Sequence, residues 1–275
     1  HKLSFGLRSM ANYSDQSSRN GDIHVQSEIN TCLNRLWGEY SGNLGGFSYS
    51  LGAAVEHYGY GTNETARKDY LYLRPLVQLN YTFNDHSSMY LNYSSTVETP
   101  KIGWLGTASY LRDDKWLSTS NSELESYTTR SAMVGYTFNN NWLYLSPYVY
   151  VYHNGNQIIP LFSQENGYLV ERKEHSGSML AVMAALGSRI KPFRIIPISL
   201  TVYAMYNDQR LTGGKADRSV KSLGGMAMLR YSGEKWIAEA MYNQPFRSIS
   251  DLGIDKGENY GYFEFARRIG KNLRI

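Results

Sequence analysis

The sequence predicts an all-β protein, an antiparallel up-and-down transmembrane β-barrel of about twelve strands that occupies residues 1–275 as a single domain. Three observations predict this fold. Apolar and polar residues alternate with a period of two along most of the chain, long and short connections alternate strictly, and aromatic residues gather near the short connections.

The clearest strand is 70–83, where odd positions such as Leu71, Leu73 and Val77 are apolar and even positions include Arg74 and Gln78. It has about fourteen residues, more than the roughly 9–11 that a strand needs to cross a bilayer. The same alternation predicts strands at 2–13, 22–41, 46–58, 70–83, 87–95, 127–138, 142–153, 176–190, 196–206, 218–232, 235–243 and 258–269.

The connections between these strands fall into two classes. Short ones are expected at 42–45, 84–86, 139–141, 191–195 and 232–234, and long ones at 14–21, 59–69, 96–126, 154–175, 207–217 and 244–257. An up-and-down barrel with short periplasmic turns and longer extracellular loops produces this order. We therefore expect the long loops to be extracellular and both chain ends to be periplasmic.

Aromatic residues favour the same orientation. The chain has 24 Tyr, 9 Phe and 5 Trp, and such side chains suit the boundary between water and lipid. Those within a few residues of the short turns are Phe47, Tyr81, Phe83, Tyr136, Phe138, Trp142, Tyr231 and Trp236. We interpret them as a periplasmic girdle rather than as ordinary sheet aromatics.

Composition excludes several classes of protein. The net charge of +4 is spread along the chain, so no basic stripe points to nucleic acid. A single cysteine, Cys32, excludes an internal disulfide framework and a zinc site built from cysteines. We expect it to be an inert thiol. No run reaches the roughly 18 apolar residues of a membrane helix. Because the chain starts at His1 within an alternating pattern, we expect it to be a processed or excised piece.

Charged residues at inward positions predict a wet or plug-filled lumen, because each would cost several kcal/mol in lipid. These residues are Arg8, Glu28, Glu56, Arg74, Arg230, Glu239, Glu264 and Arg268. They either contact a ligand or, as we favour, pair with one another or with a plug.

The 96–126 loop is the best candidate for ligand contact, because exposed aromatics beside charges are typical of binding loops. Its candidate residues are Trp104, Tyr110, Arg112 and Trp116. An equally weighted alternative is a loop that packs on its neighbours. No nucleophile, carboxylate pair or metal cluster has convincing spacing, so we expect no enzymatic activity, no catalytic residues, no metal and no cofactor.

Four segments resemble the TonB-dependent receptors, in particular the Bacteroidetes-type outer membrane protein beta-barrel branch. Residues 93–100 (YSSTVETP) resemble the exit of a family strand, and 120–127 (SNSELESY), followed by Gly135-Tyr136, resemble a family segment that enters a strand. Lys235-Trp236 with 243–246 (NQPF) resembles a family hairpin, and 262–271 (YFEFARRIGK) resembles the closing strand.

This resemblance implies a receptor in which a 22-stranded barrel surrounds an N-terminal plug and a TonB box contacts the TonB complex. The present chain would then be the C-terminal half of the barrel, without the plug. The expected function is uptake of a scarce ligand: a siderophore, cobalamin or a glycan. The implied partners are outer-membrane lipid, the plug of the same full-length protein, the TonB complex and a possible surface lipoprotein.

Two other functions remain open from the residues alone. A free-standing twelve-stranded passive pore or barrel enzyme predicts that strand 2–13 pairs with strand 258–269. A soluble all-β surface or adhesion protein predicts folding without detergent.

Overall fold

We analysed a computed structural model of the chain. It describes residues 1–20, 23–62, 67–105, 109–193, 195–213, 217–250, 253–269 and 273–274. Within these ranges, the side chains of 16–20, 23–27, 102, 110, 268–269 and 273–274 lie outside the description.

The described residues form nineteen strands and one short 3-10 helix. In chain order they are β1 (Lys2–Asn20), β2 (Ile23–Leu44), β3 (Phe47–Thr62), β4 (Lys68–Asn84), β5 (Ser87–Glu98), the 3-10 helix (Ile102–Trp104), β6 (Ser109–Asp113), β7 (Trp116–Thr119), β8 (Tyr127–Asn139), β9 (Leu143–Asn154), β10 (Ile158–Glu165), β11 (Tyr168–His175), β12 (Ser178–Ile190), β13 (Ile198–Thr212), β14 (Arg218–Ser232), β15 (Trp236–Gln244), β16 (Arg247–Ile249), β17 (Ile254–Lys256), β18 (Tyr260–Ile269) and β19 (Leu273–Arg274).

The barrel wall is one antiparallel sheet. Its order in the described part is β1-β2-β3-β4-β5-β8-β9-β12-β13-β14-β15-β18-β19, so neighbours in the sheet follow one another along the chain apart from the loop strands. The predicted up-and-down wall of twelve strands is confirmed, and the two-residue β19 is added at its end. Among the described residues, no helix is long and apolar enough to cross a membrane.

Alternation divides the wall into two faces. We call the apolar face the one that carries Leu7, Leu36, Val55 and Leu73, which lie opposite one another in the register of β1 to β4. Leu73 is 68% exposed and Leu71 on the same face is 73% exposed, as expected of side chains whose solvent is lipid. We call the opposite face, which carries Arg8, Arg35 and Glu56, the polar face.

The short connections lie where they are predicted. β2 and β3 are joined through Gly45, whose φ of +59° favours glycine, and β4 and β5 are joined by a turn at 85–86. The remaining short connections fall at 140–142, 191–197 and 233–235, between consecutive wall strands.

The long connections differ from the prediction, because the strands extend into them. β1 continues to Asn20, β3 to Thr62 and β13 to Thr212. The predicted ends of these strands are the points at which apolar alternation stops, and alternation stops where lipid contact stops. The hydrogen-bonded ladder does not depend on lipid, so polar residues such as Asp15 continue it without that pattern.

The 96–126 and 154–175 connections also contain strands. They form a second sheet in the order β10-β11-β7-β6, which we call the loop sheet. β11 and β7 pair in parallel, which joins the two connections to each other. The connection after β15 contains the small β16–β17 hairpin.

The most buried apolar cluster lies where the 99–126 loop covers the polar face. It contains Ile29, Tyr58, Tyr60, Leu105, Leu124 and Ile158. Tyr60 donates a hydrogen bond to the Leu124 carbonyl, and the Tyr72 hydroxyl donates one of 3.2 Å to the Ser126 carbonyl. These contacts fix the loop against β3 and β4.

The two edges of the wall are not joined in the part of the chain described here. β1 stands at one end of the sheet, and β18 and β19 stand at the other. The pairing of 2–13 with 258–269 that a closed twelve-stranded barrel predicts is therefore not formed.

Candidate functional site

Charged residues of the polar face form an ion-pair cluster across three strands. Oε2 of Glu56 accepts hydrogen bonds from Nε of Arg35 at 2.7 Å and from Nη1 of Arg74 at 2.6 Å. The Glu56 side chain is only 3% exposed. Arg74 also donates to the Ser95 carbonyl at 3.0 Å. Arg8 lies opposite Arg35 in the register, so this region of the polar face carries excess positive charge.

A second charged group lies near the other edge of the wall. Arg230 and Glu239 are register partners with an N–O distance of 3.6 Å, and Glu264 lies directly opposite Glu239. The Tyr262 hydroxyl donates to Glu239. The two groups of charges occupy different parts of the wall, so the structure does not unite all the charged candidates in one site.

Glu28 and Arg268 are the two remaining charged candidates. The register pairs Glu28 with Asp15 and continues without a shift to Leu7 and Leu36, which places Glu28 on the apolar face. The predicted inward position of Glu28 is therefore wrong. It lies in the polar extension of β2, where a charge no longer implies that a residue faces inward. The Arg268 side chain lies outside the described residues.

Methionines also favour the polar face. The strand registers place every methionine except Met89 on it, at positions 10, 133, 179, 183, 205, 226, 228 and 241. Met228 and Met241 are direct partners, and the Tyr203 hydroxyl lies 3.5 Å from the Met205 sulfur. The part of this face formed by β12 to β15 is therefore lined by flexible thioether chains, which adapt to irregular partners.

The loop candidate Trp104 has a packing role. It lies against the buried cluster, between the Nζ atoms of Lys101 and Lys173, which are 5.0 and 5.3 Å from its ring centroid. Its backbone accepts a hydrogen bond from Asn121 at 2.7 Å. For Trp104, these contacts favour the alternative that the loop packs on its neighbours.

Arg112 and Trp116 lie together at a cleft in the loop sheet. The Arg112 guanidinium lies 4.7 Å from the Trp116 ring centroid, and the ring contacts Phe162 edge-on at 6.2 Å between centroids. The cleft has a volume of about 530 Å³ and is lined by Arg112, Trp116, Pro160, Phe162, Glu171, Ser250 and Asp255. We call it the loop cleft.

Glu171 organises the wall of the loop cleft. Its side chain is 5% exposed and binds Arg112 Nη1 at 2.8 Å and Lys173 Nζ at 2.8 Å. Burial pushes the pKa of Glu171 up, but hydrogen bonds and charges from Lys173 and Arg112 outweigh it and hold the pKa below its ordinary value. The carboxylate is therefore ionised at neutral pH and fixes the Arg112 side chain beside the Trp116 ring.

Trp116 offers a further polar group at this place. Its indole Nε1 is buried, and no hydrogen-bond partner for it exists among the described residues. A buried donor of this kind is uncommon unless water or a ligand supplies the acceptor. The loop cleft thus combines an aromatic surface with a cation held by a carboxylate.

Sequence reasoning did not identify Phe162, Glu171, Ser250 and Asp255 as site residues. They come from the 154–175 and 244–257 segments, which the sequence predicts only as long connections. The strands of the β10–β11 hairpin, IIPLFSQE and YLVERKEH, each pass from an apolar half to a polar half without alternating, so the period of two does not reveal them. The fourth loop candidate, Tyr110, has its side chain outside the described residues.

The wall resembles those of solved outer-membrane transporters. The chain matches a copper transporter, OprC, with a TM-score of 0.70 and 14% identity, covering 99% of this chain and 47% of that one. It matches the ferric citrate transporter FecA with a TM-score of 0.64 and 12% identity, covering 98% and 44%. It matches the FrpB iron transporter from Neisseria meningitidis with a TM-score of 0.60 and 10% identity, and the match covers 96% of this chain and 45% of that one.

At these identities the likeness establishes the fold, and it confirms the predicted receptor-type barrel at that level. The solved proteins are transporters and receptors rather than enzymes. The chain spans about half the length of the solved proteins that it matches. No curated protein matches it in a sequence search.

The match to a family model covers most of the chain, from residue 9 to residue 263. This range includes all the wall strands from β2 to β15 and the whole loop sheet. The chain therefore belongs to the outer membrane protein beta-barrel family.

Proposed function

We propose that this chain forms about half of the wall, together with extracellular loops, of a TonB-dependent receptor that takes up a scarce ligand across the outer membrane. The ligand class is a siderophore, cobalamin or a glycan. The observation that carries this proposal is the whole-chain likeness of an open wall to barrels of about twice its length.

The open edges support a larger barrel. β1 is a strand of 19 residues that has a hydrogen-bonded neighbour on only one side in the described part of the sheet. A long unpaired edge invites aggregation, and natural barrels remove such edges by closure. Further strands of the same full-length protein would pair with β1 and β18, and the apolar face would contact outer-membrane lipid.

The polar face suits a lumen that contains a plug. The excess positive charge around Arg8, Arg35 and Arg74 favours a plug surface that carries carboxylates. The methionines near Met228 favour an apolar plug surface that can move, because their flexible side chains adapt to a changing partner. The plug would connect to the TonB complex. In this orientation the loop sheet is extracellular, both ends of this chain are periplasmic, and a surface lipoprotein could cover the loops.

The loop cleft is our candidate for the first ligand contact. Trp116 and Phe162 supply an aromatic surface, and Arg112 supplies a charge that Glu171 keeps in place. Aromatic faces and a positioned cation suit flat, anionic or hydroxylated ligands.

Uptake by the full-length receptor tests the proposal. Cells that carry the gene in a receptor-deficient host would be given labelled ferric siderophores, cobalamin and oligosaccharides, with and without a protonophore. We expect accumulation of one class that stops when the inner-membrane proton gradient is collapsed. Accumulation that is unaffected by the protonophore would indicate a passive pore instead.

A pair of loop variants tests the cleft separately. Trp116→Ala removes the aromatic surface, and we expect ligand affinity to fall about tenfold or more, as for a central aromatic contact. Tyr168→Ala is the control, since Tyr168 is exposed in β11 of the same loop sheet but does not line the cleft. Equal affinity in both variants would remove the loop cleft from the binding site and leave the uptake result standing.

A further inference from the structure

Three potential metal-binding side chains meet on adjacent wall strands, and none of them lines the loop cleft. Cys32 lies on β2, His57 on β3 and Asp69 on β4, and their ligand atoms all lie within 4.8 Å of one another. In the register, both Cys32 and Asp69 pair with Gly59, and His57 is two residues from Gly59 on the same face. The three side chains therefore converge over one glycine.

Gly59 keeps the space between these groups open. A Cβ at this position would lie 2.4 Å from Oδ1 of Asp69 and 3.0 Å from Sγ of Cys32. The first distance is shorter than side chains tolerate, so the Asp69 carboxylate would have to shift away if another residue stood here. Glycine at position 59 therefore lets the carboxylate and the thiol approach each other.

The histidine is oriented by neighbours. The Asn34 amide Nδ2 lies 3.4 Å from His57 Nδ1, and Asn34 Oδ1 accepts a 2.7 Å hydrogen bond from the Ser9 hydroxyl. His57 Nε2 is left facing Asp69 Oδ1 at 2.9 Å. Polar partners of this kind fix the ring orientation of histidines that bind metals.

A cationic group already occupies the cluster. Nε of Arg67 donates to both Asp69 oxygens at 3.1 Å, and its Nη2 lies 3.0 Å from Cys32 Sγ. The Arg67 side chain is 60% exposed, so it can leave without unfolding the wall. The guanidinium bridges a carboxylate and a thiol, which shows that positive charge is favoured at this place. A divalent metal ion carries more charge than the guanidinium and would bind the same two groups more strongly.

We propose that Cys32, His57 and Asp69 bind a divalent transition metal of the zinc type when Arg67 moves aside. One sulfur, one nitrogen and one oxygen are ligands that Zn²⁺ accepts in tetrahedral sites, with water in the fourth position. Bond lengths of about 2.0–2.3 Å place such ligands roughly 3–4 Å apart, so small side-chain rotations complete the site. Binding releases the proton of the Cys32 thiol, which becomes a thiolate ligand.

The site lies on the apolar face, at the end of the wall that bears the long connections. Leu71 and Leu73 continue the apolar face toward the short turns, whereas Asp69 lies at the polar start of β4 and Arg67 directly precedes that strand. A cleft of about 580 Å³ lined in part by Cys32, Gly59 and Arg67 gives access to it. The site is therefore independent of the proposed transport ligand.

Cobalt titration tests the proposal with the full-length protein, purified from outer membranes in detergent and stripped with a chelator. We expect one Co²⁺ to bind with the charge-transfer absorption of a cobalt–thiolate bond and to be displaced by Zn²⁺. Cys32→Ser should abolish that absorption, and His57→Gln should weaken binding at least about tenfold, because losing a ligand costs no less than losing the hydrogen-bond partner of a ligand. Gly59→Ala should weaken it without removing any ligand.

Two further variants make the result specific. Arg67→Gln should strengthen Co²⁺ binding, because the competing cation is gone, whereas loss of a structural ion pair alone would not. His86→Gln, at a short turn, should leave binding unchanged. The proposal is overturned if the wild-type protein shows no cobalt–thiolate absorption, if Cys32→Ser retains it, or if Arg67→Gln binds no more tightly.

Discussion

Oε2 of Glu56 lies 2.6 Å from Nη1 of Arg74, its ion-pair partner on the neighbouring strand of the wall. The same oxygen also meets Arg35, so one carboxylate joins β2, β3 and β4 on the polar face. This connection crosses the part of the wall that lies between the loop-covered tyrosines and the short turns.

Glu56→Ala should destabilise the wall, because it leaves two arginines without their acceptor. Removing one partner of a fully buried pair costs about 3–5 kcal/mol, and the partial exposure of Arg35 and Arg74, 29% and 17%, reduces the expectation to about 2–3 kcal/mol. Urea unfolding in lipid vesicles measures it. Glu98→Ala, at an exposed position in β5, is the control and should change stability by less than about 0.5 kcal/mol. Equal effects of both substitutions would contradict the role of Glu56.

The loop sheet should loosen in acid. Because the folded pKa of Glu171 lies below its ordinary value of 4.5, its ion pairs stabilise the loop sheet fully above that pH. This stabilisation falls as the pH drops from 4.5 through the folded pKa. Hydrogen exchange of 168–175 should therefore accelerate at about pH 3 relative to about pH 6, after correction for intrinsic rates.

Glu171→Gln should exchange faster already at neutral pH and should lose most of the acid response. Glu165→Gln, on the exposed end of the same hairpin, should behave as the wild type. An acid response of the same size in Glu171→Gln would assign the effect to other carboxylates.

The two faces of β14 should differ in their surroundings. Met226 lies on the polar face and Ala227 on the apolar face. In a Cys32→Ser background, Met226→Cys should react with a charged thiol reagent, because in the proposed orientation the polar face lines the lumen. A fluorophore at Ala227→Cys should instead be quenched by a lipid-soluble quencher. The opposite pattern would reverse the assignment of the faces.

Tyr60→Phe should release the 99–126 loop. It removes the hydroxyl that donates to the Leu124 carbonyl and leaves that buried acceptor without this donor, at a cost of about 1–3 kcal/mol. Protease sensitivity of the loop in the intact full-length protein measures the effect. Tyr168→Phe, which changes an exposed hydroxyl, should leave the cleavage rate unaltered.

Local patterns predicted much of the wall, because lipid contact makes alternation visible in every strand that crosses it. Strand β14 matches its predicted bounds of 218–232, and the short turn at Gly45 was expected. The ends of β1 and β13 could not be predicted in this way. Outside the lipid, hydrogen bonding to a neighbouring strand holds the residues extended, and a single strand carries little sign of it.

By itself the sequence determined the order of the wall strands, their alternating faces and the polar positions of Arg8, Glu56 and Arg74, because these depend only on the period of two. The tertiary structure decided which residues meet. Glu171 joins Arg112 across 59 positions, and Cys32 and Asp69 meet over Gly59 through the register of three strands. Such contacts depend on strand pairing and loop packing, in which residues far apart in the chain become neighbours, and no spacing along the chain encodes them.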